Sequence, residues 1–195
     1  MRVKFLALLL TALAVAGVVF SHNTLDTVPE YIKLPPMVQE TAPEVKQVEE
    51  AKQYRYIQGC PLSKELQRDI FDICEKYNVS FEFVMAVINR ESRFDINAEG
   101  DGCESVGLMQ VQEKWHSELM EELGVSDLYD PVENVEVGVA LLANYFAEHE
   151  DVYFVLMKYN GGAKYAYRMT EAGKVSDYAL EITETAIMYE RQNGI

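Results

Sequence analysis

The strongest constraint on the fold is the apolar periodicity of residues 53–195, which is helical almost throughout and contains no convincing strand pair. Ser63 and Ser80 each occupy a position suited to cap a helix whose apolar residues share one face. Asp130 and Pro131 open a further helix, as an N-cap followed by proline at the first helical position. We therefore predict a compact all-α domain with helices at about 63–78, 81–90, 113–123, 130–146, 151–159 and 176–192.

The N-terminus carries an export sequence at residues 1–20. Arg2 and Lys4 precede an apolar run from Phe5 to Phe20, which is typical of a signal peptide or a membrane anchor. As a helix this run is roughly 24 Å long, shorter than the roughly 30 Å hydrocarbon core of a bilayer. Small residues at 14–16 offer a cleavage site, but the apolar run continues past them, which favours retention as an anchor. Either way we expect an extracytoplasmic protein, secreted or membrane-anchored.

Residues 21–52 contain four prolines among polar residues and no sustained apolar period, which predicts a linker or stalk before a single domain at 53–195. The formal net charge of the chain is −15. Residues 53–195 contribute 26 acidic and 12 basic side chains, so the acidity belongs to the domain. A surface of this charge repels phosphate backbones, which excludes nucleic acid as a partner.

The three cysteines are an odd set for an exported chain, so at least one thiol is free or pairs with another chain. If the segment leading to Cys74 is helical, the helical rise separates Cys60 from Cys74 by about 16 Å, beyond the roughly 7 Å limit for a disulfide. Only a pair that includes Cys103 then remains geometrically open. The alternative is three unpaired thiols that behave as small apolar side chains.

Three short motifs interrupt the helical pattern: Glu91-Ser92-Arg93-Phe94, Gly107-Leu108-Met109-Gln110 and Tyr159-Asn160-Gly161-Gly162. In this order and spacing they resemble the soluble lytic transglycosylase family, whose fold is lysozyme-like. The resemblance covers about residues 66–189 and includes Asp130, Asn134 and Gly138, in a stretch that typically opens a helix in that family. One four-residue match arises by chance, whereas three in order after an export signal are a specific combination.

The resemblance implies cleavage of the bond between N-acetylmuramic acid and N-acetylglucosamine in peptidoglycan, with Glu91 as the single catalytic acid and base. Most glycosidases need two carboxylates, one to protonate the leaving oxygen and one to act as base or nucleophile. In this family the 6-hydroxyl of the sugar itself attacks and closes a 1,6-anhydro ring. Because the nucleophile is already part of the substrate, no water has to be positioned and no second carboxylate is needed.

The position of Glu91 in the sequence fits an acid that must be protonated near neutral pH. It follows the apolar stripe of the second predicted helix, where an anion is unfavourable at a helix C-terminus. Desolvation and the helix dipole should therefore raise its pKa. The alternative is an ordinary surface glutamate, of which the chain has many.

The resemblance also implies a set of substrate-binding side chains in or beside the motifs and in a weaker match near the C-terminus: Ser92, Met109, Gln110, Tyr159, Asn160 and Tyr178. Gln110 offers both a donor and an acceptor to an N-acetyl group or hydroxyl, and Met109 offers an adaptable apolar wall. Structural interpretations also exist, because Ser92 can be a helix-end residue, Met109 a core residue, and the glycine pair a helix C-terminal turn.

No cofactor or metal is expected. The acidic stretch at residues 95–101 imitates the first half of a calcium loop, but the twelfth position of that loop is Val106 instead of glutamate, so we predict a solvated acidic loop. The three histidines have no ligand spacing. Trp115, at helical spacing from Leu119, is interpreted as a core residue.

The expected partners are peptidoglycan glycan strands, and the membrane if the N-terminal segment is retained; we expect a monomer. Two other functions compete with this one. A goose-type lysozyme-like hydrolase would use the same fold and glutamate with water as the nucleophile. A catalytically idle wall-binding module or assembly scaffold, attached to the membrane by the N-terminal segment, would cleave no bond, but intact Glu91, Gln110 and Tyr159 argue against it.

Overall fold

The computed structural model describes residues 52–195, and its architecture confirms the all-α prediction. The predicted signal or anchor at residues 1–20 and all of the predicted linker except Lys52 lie outside the described residues. In chain order the helices of the described part are α1 (Lys64–Tyr77), α2 (Phe81–Ser92), α3 (Glu113–Leu123), α4 (Pro131–Glu148), α5 (Val152–Glu171) and α6 (Asp177–Gln192).

The helix starts follow the capping residues expected from the sequence. The Ser63 hydroxyl accepts a hydrogen bond from the backbone N–H of Leu66 at 3.1 Å, and the Ser80 hydroxyl accepts one from Phe83 at 3.3 Å. The Asp130 carboxylate accepts two backbone N–H groups in the first turn of α4. Each cap satisfies N–H groups that have no partner inside the helix, which fixes where the helix begins.

Helix α2 is the most deeply packed element of the domain. Every residue from Phe81 to Ile88 is buried, because α2 packs against α1 on one side and α6 on another. A helix that is apolar on nearly all faces belongs in the interior of a protein. Its C-terminal turn leaves the core at Glu91, which is half-buried. The core helix therefore fixes the position of this carboxylate.

A short β-hairpin begins at the end of the acidic loop, so the prediction of no strand pair was wrong there, whereas residues 95–101 are mostly exposed, as expected for a solvated loop. Strand β1 (Glu99–Gly100) pairs antiparallel with β2 (Ser105–Val106), with Glu99 opposite Val106 and Gly100 opposite Ser105. The connecting turn includes left-handed residues at Asp101, φ 51°, and Gly102, φ 72°. Strands of two residues are too short to show the alternation by which a strand is recognised in a sequence.

Helix α5 continues past the end predicted for it. The sequence places its end at Tyr159, before the glycine pair, whereas the structure carries helix to Glu171. Gly162 has φ 78° and ψ 168°, so the helix is interrupted there and then resumes. The glycines mark a real break in the backbone. The second half re-forms because Ala166 is buried and Met169 packs against the core.

All three cysteines are free: Cys60 is half-buried, Cys74 is buried and Cys103 is exposed. This agrees with the alternative of unpaired thiols. Within residues 52–195 no helix is both long and apolar enough to span a bilayer. The same residues contain no group of three or more His, Cys, Asp or Glu side chains placed to hold a metal ion.

Candidate active site

A cavity of about 700 Å³ gathers residues from all three sequence motifs. Its walls come from the C-terminus of α2, the β-hairpin, α3, α4 and the middle of α5. Of the side chains predicted to form the site, four line it: Glu91, Gln110, Tyr159 and Asn160. Residues separated by up to 69 positions in the sequence, Glu91 to Asn160, thus meet around one space.

The Glu91 carboxyl group has the environment of a general acid. Burial at the end of α2 raises its pKa above the usual value, in the direction expected from the sequence. The Tyr178 hydroxyl donates a hydrogen bond to Glu91 Oε1, and this bond and the nearby Arg90 charge oppose part of the increase in pKa. The carboxyl therefore stays protonated to a higher pH than an exposed glutamate does. The Tyr178 hydroxyl is already placed to stabilise the carboxylate once the proton has left.

Tyr178 forms a hydrogen bond with Glu91. Its side chain was expected to line the cavity, but it does not. It is 6% exposed at the start of α6, and the Arg90 guanidinium lies 5.5 Å from its ring centroid. Arg90 also forms an ion pair with Glu181 at 2.9 Å. Burial, followed by the nearby Glu91 charge, raises the pKa of Tyr178 well above its usual value, so the phenol stays protonated and remains a donor.

Ser92 and Met109 also fail to reach the cavity with their side chains. The Ser92 hydroxyl donates to the Ile88 carbonyl oxygen at 3.1 Å, as in its helix-end interpretation. Met109 is fully buried and packs against Gly138 of α4, where an added Cβ would lie 2.4 Å from the Met109 sulfur. The apolar core takes up the Met109 side chain, and the Ser92 hydroxyl bonds within its own helix, so neither lines the cavity.

Asn134 of α4 organises the turn that carries the second motif. Its Oδ1 accepts the Met109 backbone N–H at 2.9 Å, and its Nδ2 donates to the carbonyl oxygens of Val106 and Leu128, each at 2.9 Å. Gly107 has φ 74°, and a Cβ there would lie 2.4 Å from Asn134 Nδ2. The glycine is required both for the left-handed backbone and for this close approach.

Hydrogen bonds from Gln110 and Tyr159 connect the turn of the second motif to the segment before the hairpin and to α5. Gln110 Nε2 donates to the carbonyl oxygens of Ala98 at 3.1 Å and Gly107 at 3.0 Å, so its amide hydrogens are already bonded within the protein. The Tyr159 hydroxyl donates to the Met109 carbonyl oxygen at 2.8 Å. Tyr159 therefore links α5 to the same turn that Asn134 holds from α4, and the cavity wall is fixed from two helices.

Asp101 is a second carboxylate in the cavity, contributed by the β-hairpin. Its Oδ2 accepts hydrogen bonds from Ser105 Oγ and Gln112 Nε2, both at 3.1 Å. Its charge adds to the elevation of the Glu91 pKa, as a smaller contribution than burial. The single-acid mechanism requires no such group. Asp101 is the other carboxylate among the residues that line this cavity, and therefore the candidate base for a two-carboxylate mechanism.

Trp115 is not a core residue, so that interpretation was wrong. Its side chain is 71% exposed at the start of α3 and lines the same cavity as Glu91. Met120 is the only buried residue of α3, because the helix lies on the surface and has little apolar face. The polar residues on both sides of Trp115 in the sequence were the available signal. An exposed indole beside a cavity offers a flat apolar face to a ligand.

The family model for the transglycosylase SLT domain matches residues 70–179 of this chain. That span includes every residue predicted for the site. The chain belongs to the transglycosylase SLT domain family. A curated transglycosylase of Enterobacteria phage PRD1 is 32% identical over 91 residues, which cover 47% of this chain and 32% of the phage protein.

Two solved lytic transglycosylases share the fold of this SLT domain. An inactive mutant of lytic transglycosylase Slt from Pseudomonas aeruginosa, in which a glutamate is replaced by glutamine, superposes with a TM-score of 0.59 at 15% identity. The 70 kDa soluble lytic transglycosylase SLT70 from Escherichia coli gives 0.58 at 16% identity. Each match covers 69% of this chain but only 25% of the longer one, so this chain spans about a quarter of their length.

Proposed function

We propose that this protein is a peptidoglycan lytic transglycosylase that cleaves the N-acetylmuramic acid to N-acetylglucosamine bond and leaves a 1,6-anhydro end. The observation that carries the proposal is the half-buried Glu91 carboxyl group, which lines the cavity with a raised pKa and faces the Tyr178 hydroxyl. Membership of the SLT family supports it. Because peptidoglycan lies outside the cytoplasm, this activity agrees with the export sequence expected at residues 1–20.

In the first step, protonated Glu91 gives its proton to the glycosidic oxygen as the bond from that oxygen to C1 breaks. The carboxylate that results accepts the hydrogen bond from Tyr178, and a charge-assisted bond of this kind strengthens as the negative charge develops. In the second step, the same carboxylate takes the proton of the 6-hydroxyl, whose oxygen bonds to C1. The proton lost by Glu91 is regained, and no water is consumed.

The remainder of the cavity is suited to an uncharged, N-acetylated sugar chain. Trp115 exposes an apolar ring face, against which the C–H face of a pyranose can pack. Asn160, in the third motif, is exposed at the cavity and provides amide donors and an acceptor. These groups give binding energy distant from the reacting bond, which can orient the 6-hydroxyl toward C1.

A second candidate function, a hydrolase, is favoured by one specific observation, the presence of Asp101 in the cavity. Asp101 would activate a water, and the product would carry a reducing end in place of the anhydro ring. Mass spectrometry of released muropeptides separates the two reactions, because the hydrolase product is heavier by one water. We expect anhydro products.

We also expect Asp101→Asn to keep kcat/KM within about tenfold of the native value, whereas loss of a true base costs several kcal/mol in the barrier. Glu104→Gln, a neighbouring carboxylate outside the cavity lining, is the matched control. Reducing-end products together with a large loss in Asp101→Asn would assign the protein to the hydrolases.

The alkaline limb of the pH profile should move in Tyr178→Phe. Glu91 must be protonated at the start of the reaction, so activity decreases as the pH rises through its pKa. The Tyr178 hydrogen bond lowers that pKa, so its removal raises the pKa and shifts the limb to higher pH. We also expect kcat to fall by roughly 10- to 150-fold, because a hydrogen bond to a charged group contributes about 1.5–3 kcal/mol.

Tyr189→Phe, a buried tyrosine on the same helix, is the control for the pH experiment and should change neither quantity. The measurement is kcat and kcat/KM for soluble glycan strands across pH. An unmoved limb in Tyr178→Phe would show that the hydroxyl does not act on Glu91.

A further inference from the structure

Two consecutive residues at the end of α2 contact the same tyrosine of α6. Glu91 accepts the hydrogen bond of the Tyr178 hydroxyl, and the Arg90 guanidinium carbon lies 5.5 Å from the centroid of the Tyr178 ring. Tyr178 is the second residue of α6, and the Ser176 hydroxyl caps that helix by accepting the Ala179 N–H at 3.3 Å. The phenol is thus contacted at its hydroxyl by one residue and at its ring by the residue before it.

The Arg90 side chain is itself held by a carboxylate of α6. Its Nε lies 2.9 Å from Glu181 Oε2. Glu181 is three residues after Tyr178, so the two side chains share one face of the helix. A planar guanidinium can lie on an aromatic ring while its N–H groups bond to a carboxylate, a combination that an ammonium group matches less well. Arg90 therefore connects α2 to α6 at two points, the Tyr178 ring and the Glu181 carboxylate.

These contacts lie outside the cavity beside Glu91. Arg90 and Glu181 line a separate groove between α2 and α6, about 980 Å³ in volume, and neither is among the residues that line the cavity. Both side chains are about half exposed, at 48% and 59%. Neither is thus placed to touch a sugar in the cavity. Arg90 can act on the reaction only through Tyr178 or through its charge near Glu91.

We propose that Arg90 is a positioning residue, which holds the Tyr178 ring so that its hydroxyl stays bonded to Glu91 while the carboxylate forms. This inference rests on the proposed function, in which Glu91 gives up and regains a proton. A hydrogen bond weakens steeply as its angle and distance depart from the optimum, so the phenol stabilises the carboxylate only while its ring keeps its place. Arg90 and Glu181 hold the ring from the side away from the cavity.

Other groups also act on the Glu91 carboxyl and stay the same when position 90 is changed. The other titratable or charged side chains that face Glu91 or line the same cavity come from the hairpin, α3 and α5: Asp101, His116, Lys158 and Tyr159. Burial raises the pKa of Glu91, and the Tyr178 hydrogen bond and the Arg90 charge oppose part of that increase. A difference between variants at position 90 therefore reports on Arg90 and on what it holds.

Arg90→Gln should lower kcat about threefold to tenfold and leave KM within about twofold of native, because the changed contact stabilises the carboxylate and not the bound sugar. The full chain is assayed on soluble glycan strands, with kcat compared at a pH below the alkaline limb, where Glu91 is protonated in each variant. The limb itself should move to higher pH, because a charge that lowers the pKa of Glu91 is removed. Arg191→Gln, which removes another arginine of the same groove, is the matched control and should keep native values.

The ion pair can be tested from its other side. Glu181→Gln releases Arg90 without changing Arg90 itself, so it should lower kcat in the same direction. Glu184→Gln removes a neighbouring exposed carboxylate that lines the same groove, and it should keep native kcat. Equal values of kcat in these two variants would show that the ion pair does not hold Arg90 for the reaction.

A double variant decides whether Arg90 acts through Tyr178. In Tyr178→Phe the hydroxyl is absent and the position of the ring no longer affects Glu91, so adding Arg90→Gln should lower kcat by less than about twofold more. Arg90→Lys keeps the charge without the planar guanidinium, so it should restore the alkaline limb but only part of kcat. Equal losses in kcat with and without the hydroxyl, or full recovery by lysine, would overturn the proposal, because either result assigns the effect to charge alone.

Titration without substrate separates this proposal from the proposed function if native protein cleaves no strand. NMR of protein labelled with ¹³C in the glutamate carboxyl groups follows Glu91, whose signal is the one missing in Glu91→Gln. We expect Arg90→Gln to move the Glu91 titration to higher pH, and to move it less when Tyr178 is already phenylalanine. The same increase in both backgrounds, or no increase in either, overturns the positioning role even where catalysis fails.

Discussion

Glu91→Gln should reduce the release of muropeptides by at least about 10²–10⁴-fold, the range that general acid–base catalysis contributes. The amide keeps the shape of the side chain and can still accept a hydrogen bond from Tyr178, but it has no proton to give to the glycosidic oxygen. Release of soluble products from purified walls measures the loss. Glu118→Gln, an exposed glutamate of α3 outside the cavity lining, should retain native activity.

The same variant should be at least as stable as native protein at pH 7. Burial raises the pKa of Glu91 in the folded state above its ordinary value of 4.5, so the folded state holds this proton more tightly than the unfolded state. The contribution of Glu91 to stability is therefore present below about pH 4.5 and is lost as the pH rises through the raised pKa. Gln is neutral at all pH values and avoids that loss.

For Glu91→Gln we therefore expect two results together: activity should fall, while the melting temperature at pH 7 stays constant or rises. Activity within tenfold of native would remove Glu91 from the role of catalytic acid. A large decrease in melting temperature would instead indicate that the carboxyl is needed for the fold. A structural role for Glu91 would also strengthen the alternative that the protein is a scaffold without catalytic activity.

Asn134→Ala should produce the largest loss of stability among single changes near the site. Asn134 is fully buried, and its amide bonds with the Met109 N–H and with the carbonyl oxygens of Val106 and Leu128. Alanine leaves the Met109 N–H and the Leu128 carbonyl oxygen without these partners, whereas the Val106 carbonyl oxygen keeps the N–H of Val111 at 3.1 Å. Each buried group left unsatisfied costs about 1–3 kcal/mol, and the cavity left by the amide adds to this loss. We expect the free energy of unfolding to decrease by about 3–5 kcal/mol, measured by urea denaturation.

Asn134→Asp tests the direction of these bonds. The carboxylate can still accept the Met109 N–H, but it repels the two carbonyl oxygens to which the amide donates. It should therefore rescue little of the lost stability. Asn97→Ala, an exposed asparagine on the loop before β1, is the matched control and should change stability by less than about 0.5 kcal/mol. A loss below about 1 kcal/mol in Asn134→Ala would show that water replaces the amide.

The helices could be read from the sequence because each local signal agreed with its tertiary environment. Ser63, Ser80 and Asp130 cap the helices they were expected to cap, and the apolar stripe of α2 predicted burial. The hairpin and the second half of α5 could not be read in this way. Two-residue strands carry no period, and the resumption after Gly162 depends on core contacts made by Ala166 and Met169.

The site residues also fall into a group that the sequence predicts and a group that depends on tertiary contacts. Glu91, Gln110, Tyr159 and Asn160 stand in short motifs and converge on the cavity. The roles of other side chains depend on which neighbours are nearest in space, and the sequence does not contain that information. Tyr178 bonds to Glu91 across 87 positions, and Trp115 is exposed because α3 lies on the surface of the domain.

The cavity beside Glu91 has one wall in the packed core and another at the surface of the domain. Glu91 ends a helix whose residues from Phe81 to Ile88 are all buried, so substitutions there disturb the packing of the whole domain. Another wall carries Asp101, in the turn between the two short strands of the hairpin, and Trp115, on a surface helix. If the proposed function holds, redesign of the glycan preference has room on the hairpin and α3, where side chains can be exchanged while Glu91 stays in place.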